Sequence, residues 1–366
     1  NNLTEKNSGK SRDEQNQIAS IIYTSGTTGE PKGVMLSDDN FLSNIEPVLK
    51  RIKVYPKDIF LSFLPLSHVL ERTAGSYVPI LSGASVAYCP DIKKLSNYFN
   101  EIQPSLIIAV PKIFEKTYDK IFAGLKEKSV IFKKIFFFCL KTPKNSVRRK
   151  IVDKIILSKL RKKIFGSRLR FAISGGASIN EKILKFFQNI GVDIIQGYGL
   201  TETSPIIAVN SLQRNRLGTV GTPLEGVEVK VARDKEIKVK GKNVMKGYWR
   251  KDNLTDEVLA DGWFSTGDLG FLDNDNYLTI IGRKKEMIVT SNGKNIYPER
   301  IENIINLNIF IEQSLVVGHK KEYLACLIVP DKKIIEEKYG PCEKQLIKEI
   351  VEHEIEKENN KLEKHE

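Results

Sequence analysis

The residues best suited to chemistry stand near the start of the chain. Tyr23-Thr24-Ser25-Gly26-Thr27-Thr28-Gly29-Glu30-Pro31-Lys32-Gly33 follows an apolar run and gathers four Ser/Thr hydroxyls, three glycines and one lysine. Glycines let the backbone approach an anion, hydroxyls and amides donate hydrogen bonds to it, and a lysine supplies a point charge. Such a loop suits a polyphosphate. It is not the kinase-type phosphate loop, which ends in Gly-Lys-Ser/Thr with a further glycine five residues upstream; here Lys32 is followed by Gly33. Ser8-Gly9-Lys10-Ser11 has that ending, but Thr4 holds the upstream position within a wholly polar segment, so it is set aside.

Other residues offer complementary chemistry. Tyr198, in Gly197-Tyr198-Gly199-Leu200-Thr201-Glu202-Thr203, has a ring face on which a base can stack. Glu202 suits Mg²⁺, which takes one or two protein oxygens and completes its shell with substrate phosphates and water. Asp268, ending Trp263-Phe264-Ser265-Thr266-Gly267-Asp268, offers two acceptors for a pair of hydroxyls, and Arg283 in Gly282-Arg283-Lys284-Lys285-Glu286 offers a cation. Each has a plainer reading. Glu202 is then a carboxylate at a helix N-terminus, Tyr198 a core aromatic, Asp268 a turn former and Arg283 a surface charge. His68, in Leu64-Pro65-Leu66-Ser67-His68-Val69-Leu70-Glu71-Arg72, is one of four histidines and reads locally as a helix-start residue satisfied by its neighbours.

Taken in order, these segments resemble the motifs of the adenylate-forming superfamily, which includes acyl-CoA synthetases, luciferases and peptide-synthetase adenylation domains. The resemblance runs from about Ile18 to Pro330. It implies that an acid's carboxylate attacks the α-phosphate of ATP, a meeting of anions that cations and a metal must neutralise. Thr24, Ser25, Gly26, Thr27, Thr28, Gly29 and Lys32 would hold the departing pyrophosphate. Gly175, Gly176 and Ala177, after Ser174, match the adenine-contacting turn, and Gly197, Tyr198, Gly199 and Thr201 the motif at adenine and the α-phosphate. Glu202, with Thr24, would carry Mg²⁺. Asp268 would grip the ribose and Arg283 reach ribose or phosphate. Lys285 matches the hinge on which a small lobe turns, Gly293 in Asn292-Gly293-Lys294 the loop along the thiol's approach, and His68 a position near the acyl carboxylate.

Within the superfamily, Leu64–Arg72, Val110-Pro111-Lys112-Ile113-Phe114-Glu115-Lys116, the insertion after it and Gly293-Lys294-Asn295-Ile296 look most like long-chain fatty acyl-CoA ligases. The resemblance thus implies a fatty acid as substrate and coenzyme A as co-substrate. A carrier protein's phosphopantetheine thiol is the alternative acceptor, and a non-catalytic nucleotide- or acyl-binding remnant the alternative class. The family has a substantial portion before the phosphate loop and an adenylation lysine near its end. Neither is identified here, so the expectation is a chain truncated at both ends.

These residues need a scaffold. Ile18–Tyr23, Ile59–Phe63, Ser85–Tyr88, Leu106–Val110, Leu169–Ser174 and Asp193–Gln196 are short and mostly continuous in apolar residues, the pattern of parallel strands covered on both faces. Amphipathic stretches at Asp91–Ile102 and Asn180–Ile190 alternate with them. The predicted class is α/β, a layered, mainly parallel sheet. After residue 225 come short alternating strands, including a hairpin around Asp234-Lys235, and then a small α+β lobe. The expected domains are 1–17 as a linker or cut end, 18–283 as the large domain and 284–366 as an incomplete lobe. The charge-rich tail from Glu352 is expected to fray.

Of 366 residues, 41% are hydrophobic and 28% charged, ordinary for a globular protein. The longest apolar run, Ile135–Leu140, is far too short to span a bilayer, and no secretory leader opens the sequence. Cys89, Cys139, Cys326 and Cys342 lack metal-ligand spacing and read as free thiols in a reducing cytoplasm. Residues 112–170 hold 19 Lys plus Arg against 4 Asp plus Glu, a local +15 that leaves −2 of the chain's +13 for the remainder. One basic feature on a near-neutral protein argues against a chain-wide nucleic-acid surface, and no nucleic-acid motif accompanies it. Within it, Ile131-Phe132-Lys133-Lys134-Ile135-Phe136-Phe137-Phe138 is either a solvated helical face over a buried one or a contact with an anionic membrane.

Overall fold

The computed structural model describes residues 17–24, 30–142, 146–359 and 362. Nearly all of the expected 1–17 linker, Ser8–Ser11 within it, and Ser25, Gly26, Thr27, Thr28 and Gly29 lie outside the described residues. The chain divides into two compact units, Asn1–Ala232 with Ile237–Thr266 and Leu272–Thr279, and Arg233–Glu236 with Gly267–Phe271 and Ile280–Glu366.

In the first unit, β1 (Ile18–Thr24) and β2 (Lys32–Ser37) pair antiparallel, with Thr24 opposite Lys32. This corrects the grouping of Ile18–Tyr23 with the parallel strands. The few residues between β1 and β2 can close a hairpin, whereas a parallel crossover needs a dozen or more. The helix Asp38–Arg51 starts at a capping box: Ser37 Oγ accepts from the Asn40 amide, and Asn40 Oδ1 accepts from the Ser37 amide. Its last residue, Arg51, donates to the carbonyls of Val209, Thr222 and Pro223 at 3.0, 2.6 and 2.7 Å.

The main sheet contains β3 (Ile59–Ser62), β4 (Ser85–Tyr88), β5 (Leu106–Ala109), β6 (Phe171–Ser174), β7 (Ile194–Gly199), β8 (Ile206–Val209) and β9 (Thr222–Pro223). Their order is β4-β3-β5-β6-β7-β8-β9; the first five run parallel and β8 and β9 antiparallel. Every residue of β5 is buried, as its unbroken apolar run requires. The helix Glu181–Asn189, capped by Asn180, buries Ile183, Leu184, Phe186 and Phe187. The carboxyl ends of these strands lead into the segments that carry the predicted nucleotide contacts, where open α/β sheets place ligands.

Beyond them, β10 (Val227–Val231) and β11 (Glu236–Gly241) form the expected hairpin, with Lys235 at φ +68°. Next, β12 (Gly247–Tyr248) returns to β2, setting Tyr248 opposite Val34. With β10 and β11, the strands β13 (Leu259–Ala260), β14 (Trp263–Leu272) and β15 (Leu278–Arg283) make a sheet of order β10-β11-β14-β13, β15 adding to β14. Asp268 thus stands inside a ten-residue strand, not in a turn.

The second unit holds the hairpin β16 (Ile288–Val289) and β17 (Asn295–Ile296), and the antiparallel pair β18 (Ile311–Val317) and β19 (Ala325–Pro330). The helices Pro298–Ile305, Lys332–Tyr339 and Lys344–Asn359 complete it. Ile301, Ile305, Ile311 and Val316 form one core cluster and Phe310, Ile335, Ile347 and Val351 another. The fraying expected from Glu352 is corrected: the helix continues to Asn359 because Ile355 packs on both clusters.

Candidate active site

The β1–β2 pairing places Thr24 beside Lys32, and both are half-buried. Lys32 Nζ lies 5.1 Å from the centroid of the Tyr248 ring, a cation–π contact. The Tyr248 hydroxyl donates to Glu202 Oε1 at 2.8 Å, and the Glu202 carbonyl accepts from the Met245 amide. Tyr248 is buried. Burial first, and then the charge and hydrogen bond of Glu202, push its phenol well above the ordinary range, so it remains a donor. Two predicted residues far apart in sequence, Lys32 and Glu202, are thereby joined through one side chain. Local sequence carried no signal for Tyr248, because its place depends on β12 pairing with β2.

Among the described residues no group of three or more His, Cys, Asp or Glu could hold a metal. The half-buried Glu202 carboxylate, with one oxygen fixed by Tyr248, still fits Mg²⁺, because that ion takes few protein ligands when phosphates supply the rest.

Next to these groups the first unit encloses a cavity of about 60 Å³. His68, Gly175, Gly176, Gly197, Tyr198, Gly199 and Thr201 are among its lining residues. Phe60, Leu70, Ala74, Val78, Leu106 and Val209 are among the residues of its apolar wall. Ala177, exposed, does not line it. Gly199 has no room for a side chain: a Cβ there would lie 1.8 Å from the Pro205 carbonyl oxygen. Gly176, at φ +86°, takes the left-handed conformation that lets the chain turn after β6.

His68 is exposed, and its Nδ1 accepts from the Leu70 amide at 3.3 Å. The local satisfaction expected of a helix-start histidine is therefore present. With Nδ1 accepting from the chain, Nε2 is the ring nitrogen left to donate to an anion. Glu71, three residues on, does not line the cavity, but it is a buried acid that sequence reasoning missed. It is only 1% exposed, and Oε1 has no hydrogen-bond partner among the described residues. Burial, opposed by a hydrogen bond with Ser62, pushes its carboxyl up to about 7. It opens the π-helical turn Glu71–Tyr77 and packs on Gly75, where a Cβ would come within 2.4 Å of Oε1.

In the second unit Arg283 Nε pairs with Asp268 Oδ1 at 3.0 Å, and the Asp268 side chain is buried. Lys284 Nζ reaches Asp234 at 2.6 Å and Glu236 at 3.0 Å, hydrogen bonds that raise its pKa. Lys285 is exposed. Gly293, at φ +74° and also exposed, turns the chain between β16 and β17.

Comparison with known proteins gives this arrangement a family. The AMP-binding enzyme family matches residues 2–249, and its C-terminal domain matches residues 285–366. The chain belongs to the AMP-binding enzymes. A long-chain-fatty-acid–CoA ligase of Mycobacterium bovis is 38% identical over 339 residues, covering 87% of this chain and 55% of the relative. A long-chain-fatty-acid–[acyl-carrier-protein] ligase of Arabidopsis thaliana is 31% identical over 404 residues, covering 94% and 55%. The crystal structure of ATP-bound MatB from Rhodopseudomonas palustris matches with a TM-score of 0.69 at 26% identity, covering 96% of this chain and 63% of that one. The chain therefore spans about half the length of the curated relatives it matches. In this AMP-binding enzyme Lys32 and Glu202 meet through Tyr248, several predicted residues line the cavity, and Asp268 pairs with Arg283, while Ala177, Lys285 and Gly293 belong to none of these groups.

Proposed function

We propose that the chain is part of an AMP-forming fatty acid–CoA ligase, with 18–283 as its large domain and 284–366 as its small lobe. The observation that carries this reading is the cavity. Its largely apolar lining suits the carboxyl-proximal part of an alkyl chain, and the same lining includes the Gly175–Gly176 turn, Tyr198 and Thr201, one residue from Glu202. An alkyl tail seated there presents its carboxylate towards groups that suit a nucleotide.

In the first step a carboxylate oxygen bonds to the α-phosphorus of ATP, the bond to the bridging oxygen breaks, and pyrophosphate leaves. Thr24 and Lys32, with Ser25, Gly26, Thr27, Thr28 and Gly29, hold the departing group. Tyr198 stacks on the base, the Asp268 carboxylate accepts from the ribose hydroxyls while Arg283 steadies it, and His68 donates to the acid. Glu202 and Thr24 would hold Mg²⁺, which would supply the positive charge that offsets the phosphates. In the second step the sulfur of coenzyme A bonds to the acyl carbon, AMP leaves with the bonding electrons, and the thiol proton passes to solvent. Turning about Lys285, with Gly293 along the thiol's path, separates the steps. We place the protein in the cytoplasm, with residues 112–170 against an anionic membrane surface.

ATP–pyrophosphate exchange across short-, medium- and long-chain acids tests the reading on the full-length protein. Exchange that depends on long-chain acids supports it; exchange driven equally by unrelated acids removes the fatty substrate. The likeness to an acyl-carrier-protein ligase favours a second acceptor. Incubating preformed acyl-AMP with coenzyme A and, separately, with a carrier protein decides between them.

A further inference from the structure

The helix Val130–Lys141 is apolar on two faces. One face is inside: Phe136 and Cys139 are buried, and Phe136 stacks edge-on with Phe137, which sits against Phe122. The opposite stripe, Ile131, Lys134, Ile135, Phe138 and Lys141, repeats at helical spacing and is exposed throughout, with Ile131 at 72% and Phe138 at 56%. A solvated helical face carries polar residues over its buried side. This one carries isoleucines and a phenylalanine between lysines.

The next stretch repeats the composition. Lys150, Ile151, Lys154, Ile155 and Lys159 are exposed, the isoleucines at 56% and 55%. Arg149, by contrast, is buried and donates to the Cys139 carbonyl at 2.5 Å and to the Asn189 carbonyl, so this stretch is pinned to the end of the first helix. Asp153 is the single acidic residue from 130 to 170, and Arg161 neutralises it through bonds of 2.5 and 2.8 Å. The region therefore shows exposed lysines, exposed branched and aromatic side chains, and no uncompensated acid among its described residues.

We infer that the exposed stripe of the helix Val130–Lys141, with the adjoining Lys150–Lys159 stretch, is the docking face for an anionic phospholipid bilayer. The inference rests on the membrane contact proposed above and assigns it residues. Isoleucine and phenylalanine gain by entering the boundary between headgroups and acyl chains, while lysines at that depth meet lipid phosphates. Nucleic acid would satisfy the lysines and leave Ile131, Ile135 and Phe138 in water. The charge complementarity and the apolar stripe together therefore select lipid.

Flotation of the full chain with phosphatidylcholine vesicles containing increasing phosphatidylglycerol is the test. Bound protein rises with phosphatidylglycerol and falls as salt is raised. The double substitution Ile131→Asp, Phe138→Asp lowers the partition coefficient by about tenfold or more, since two apolar contacts are lost. Lys134→Glu lowers it by about fivefold or more and flattens the salt dependence, as one attracted charge becomes a repelled one. All these positions are exposed, so melting temperatures stay at the wild-type value and any loss of binding belongs to the surface. Vesicle binding that both variants retain overturns the docking face while leaving a membrane contact elsewhere. Absence of binding to any vesicle overturns both readings, as does retention on DNA that vesicles cannot displace.

Discussion

At the scale of single residues, the Tyr248–Glu202 bond has a measurable consequence. Tyr248→Phe removes the donor that fixes one carboxylate oxygen, and hydrogen bonds to charged groups contribute about 1.5–3 kcal/mol. Titration calorimetry should show Mg²⁺-dependent ATP binding weakened by roughly tenfold or more, with metal-free AMP binding little changed. Equal losses for both ligands would make Tyr248 a packing residue. Glu71 gives a pH signature instead. Its carboxyl rises from an ordinary 4.5 to about 7, so between those values the folded chain holds a proton that the unfolded chain has released. Stability therefore falls as pH climbs through that window, and the loss, roughly 3 kcal/mol, is complete above about pH 7. Glu71→Gln keeps the shape without the charge. Urea unfolding should find it matching the wild type near pH 5 and more stable near pH 8; parallel curves would refute the buried acid. Lys32, Glu202 and Asp268 could be proposed from sequence because their charge and neighbours suit the parts of a nucleotide. Tyr248 and Glu71 could not, since one needs a distant strand pairing and the other a burial that only the tertiary fold creates.

At the scale of elements, the turn from β7 to β8 tolerates least. A methyl at Gly199 would sit 1.8 Å from the Pro205 carbonyl oxygen, and neither backbone can yield without opening the turn that carries Tyr198, Thr201 and Glu202. Gly199→Ala should cost about 1–3 kcal/mol in unfolding free energy and weaken nucleotide binding at the same time. An alanine variant with wild-type melting and wild-type AMP affinity would mean the turn is not rigid. Parallel strands such as β5 and β6 were legible because burial on both faces leaves an unbroken apolar run. The same rule misassigned β1, which is apolar but belongs to a hairpin, and residue type alone did not reveal β14 around Asp268. The reach of the terminal helix beyond Glu352 was not legible, because spaced isoleucines, Ile347 and Ile355 among them, anchor a segment otherwise rich in charge.

At the scale of the whole molecule, the segment from Gly282 to Glu286 carries the proposed pivot. Lys284 is tied to Asp234 and Glu236, whereas its neighbour Lys285 is exposed. Lys285→Pro fixes φ at the proposed pivot. In the full-length protein, thioester formation from supplied acyl-AMP should fall by about tenfold or more, while nucleotide affinity is kept, if rotation there is required. Unchanged thioester yield from a variant with normal melting would move the pivot elsewhere. Arg51 bears on a different property, behaviour in crowded solution. The last strand of the main sheet, β9, is two residues long, ends in proline, and has both its carbonyls taken up by that guanidinium. Bare carbonyls on a sheet margin invite a strand from another chain, and natural proteins blunt such margins with short strands, proline and charge. All three devices meet at Arg51, so Arg51→Met should raise light scattering at a given concentration, and unchanged scattering would mean that the margin is protected without it.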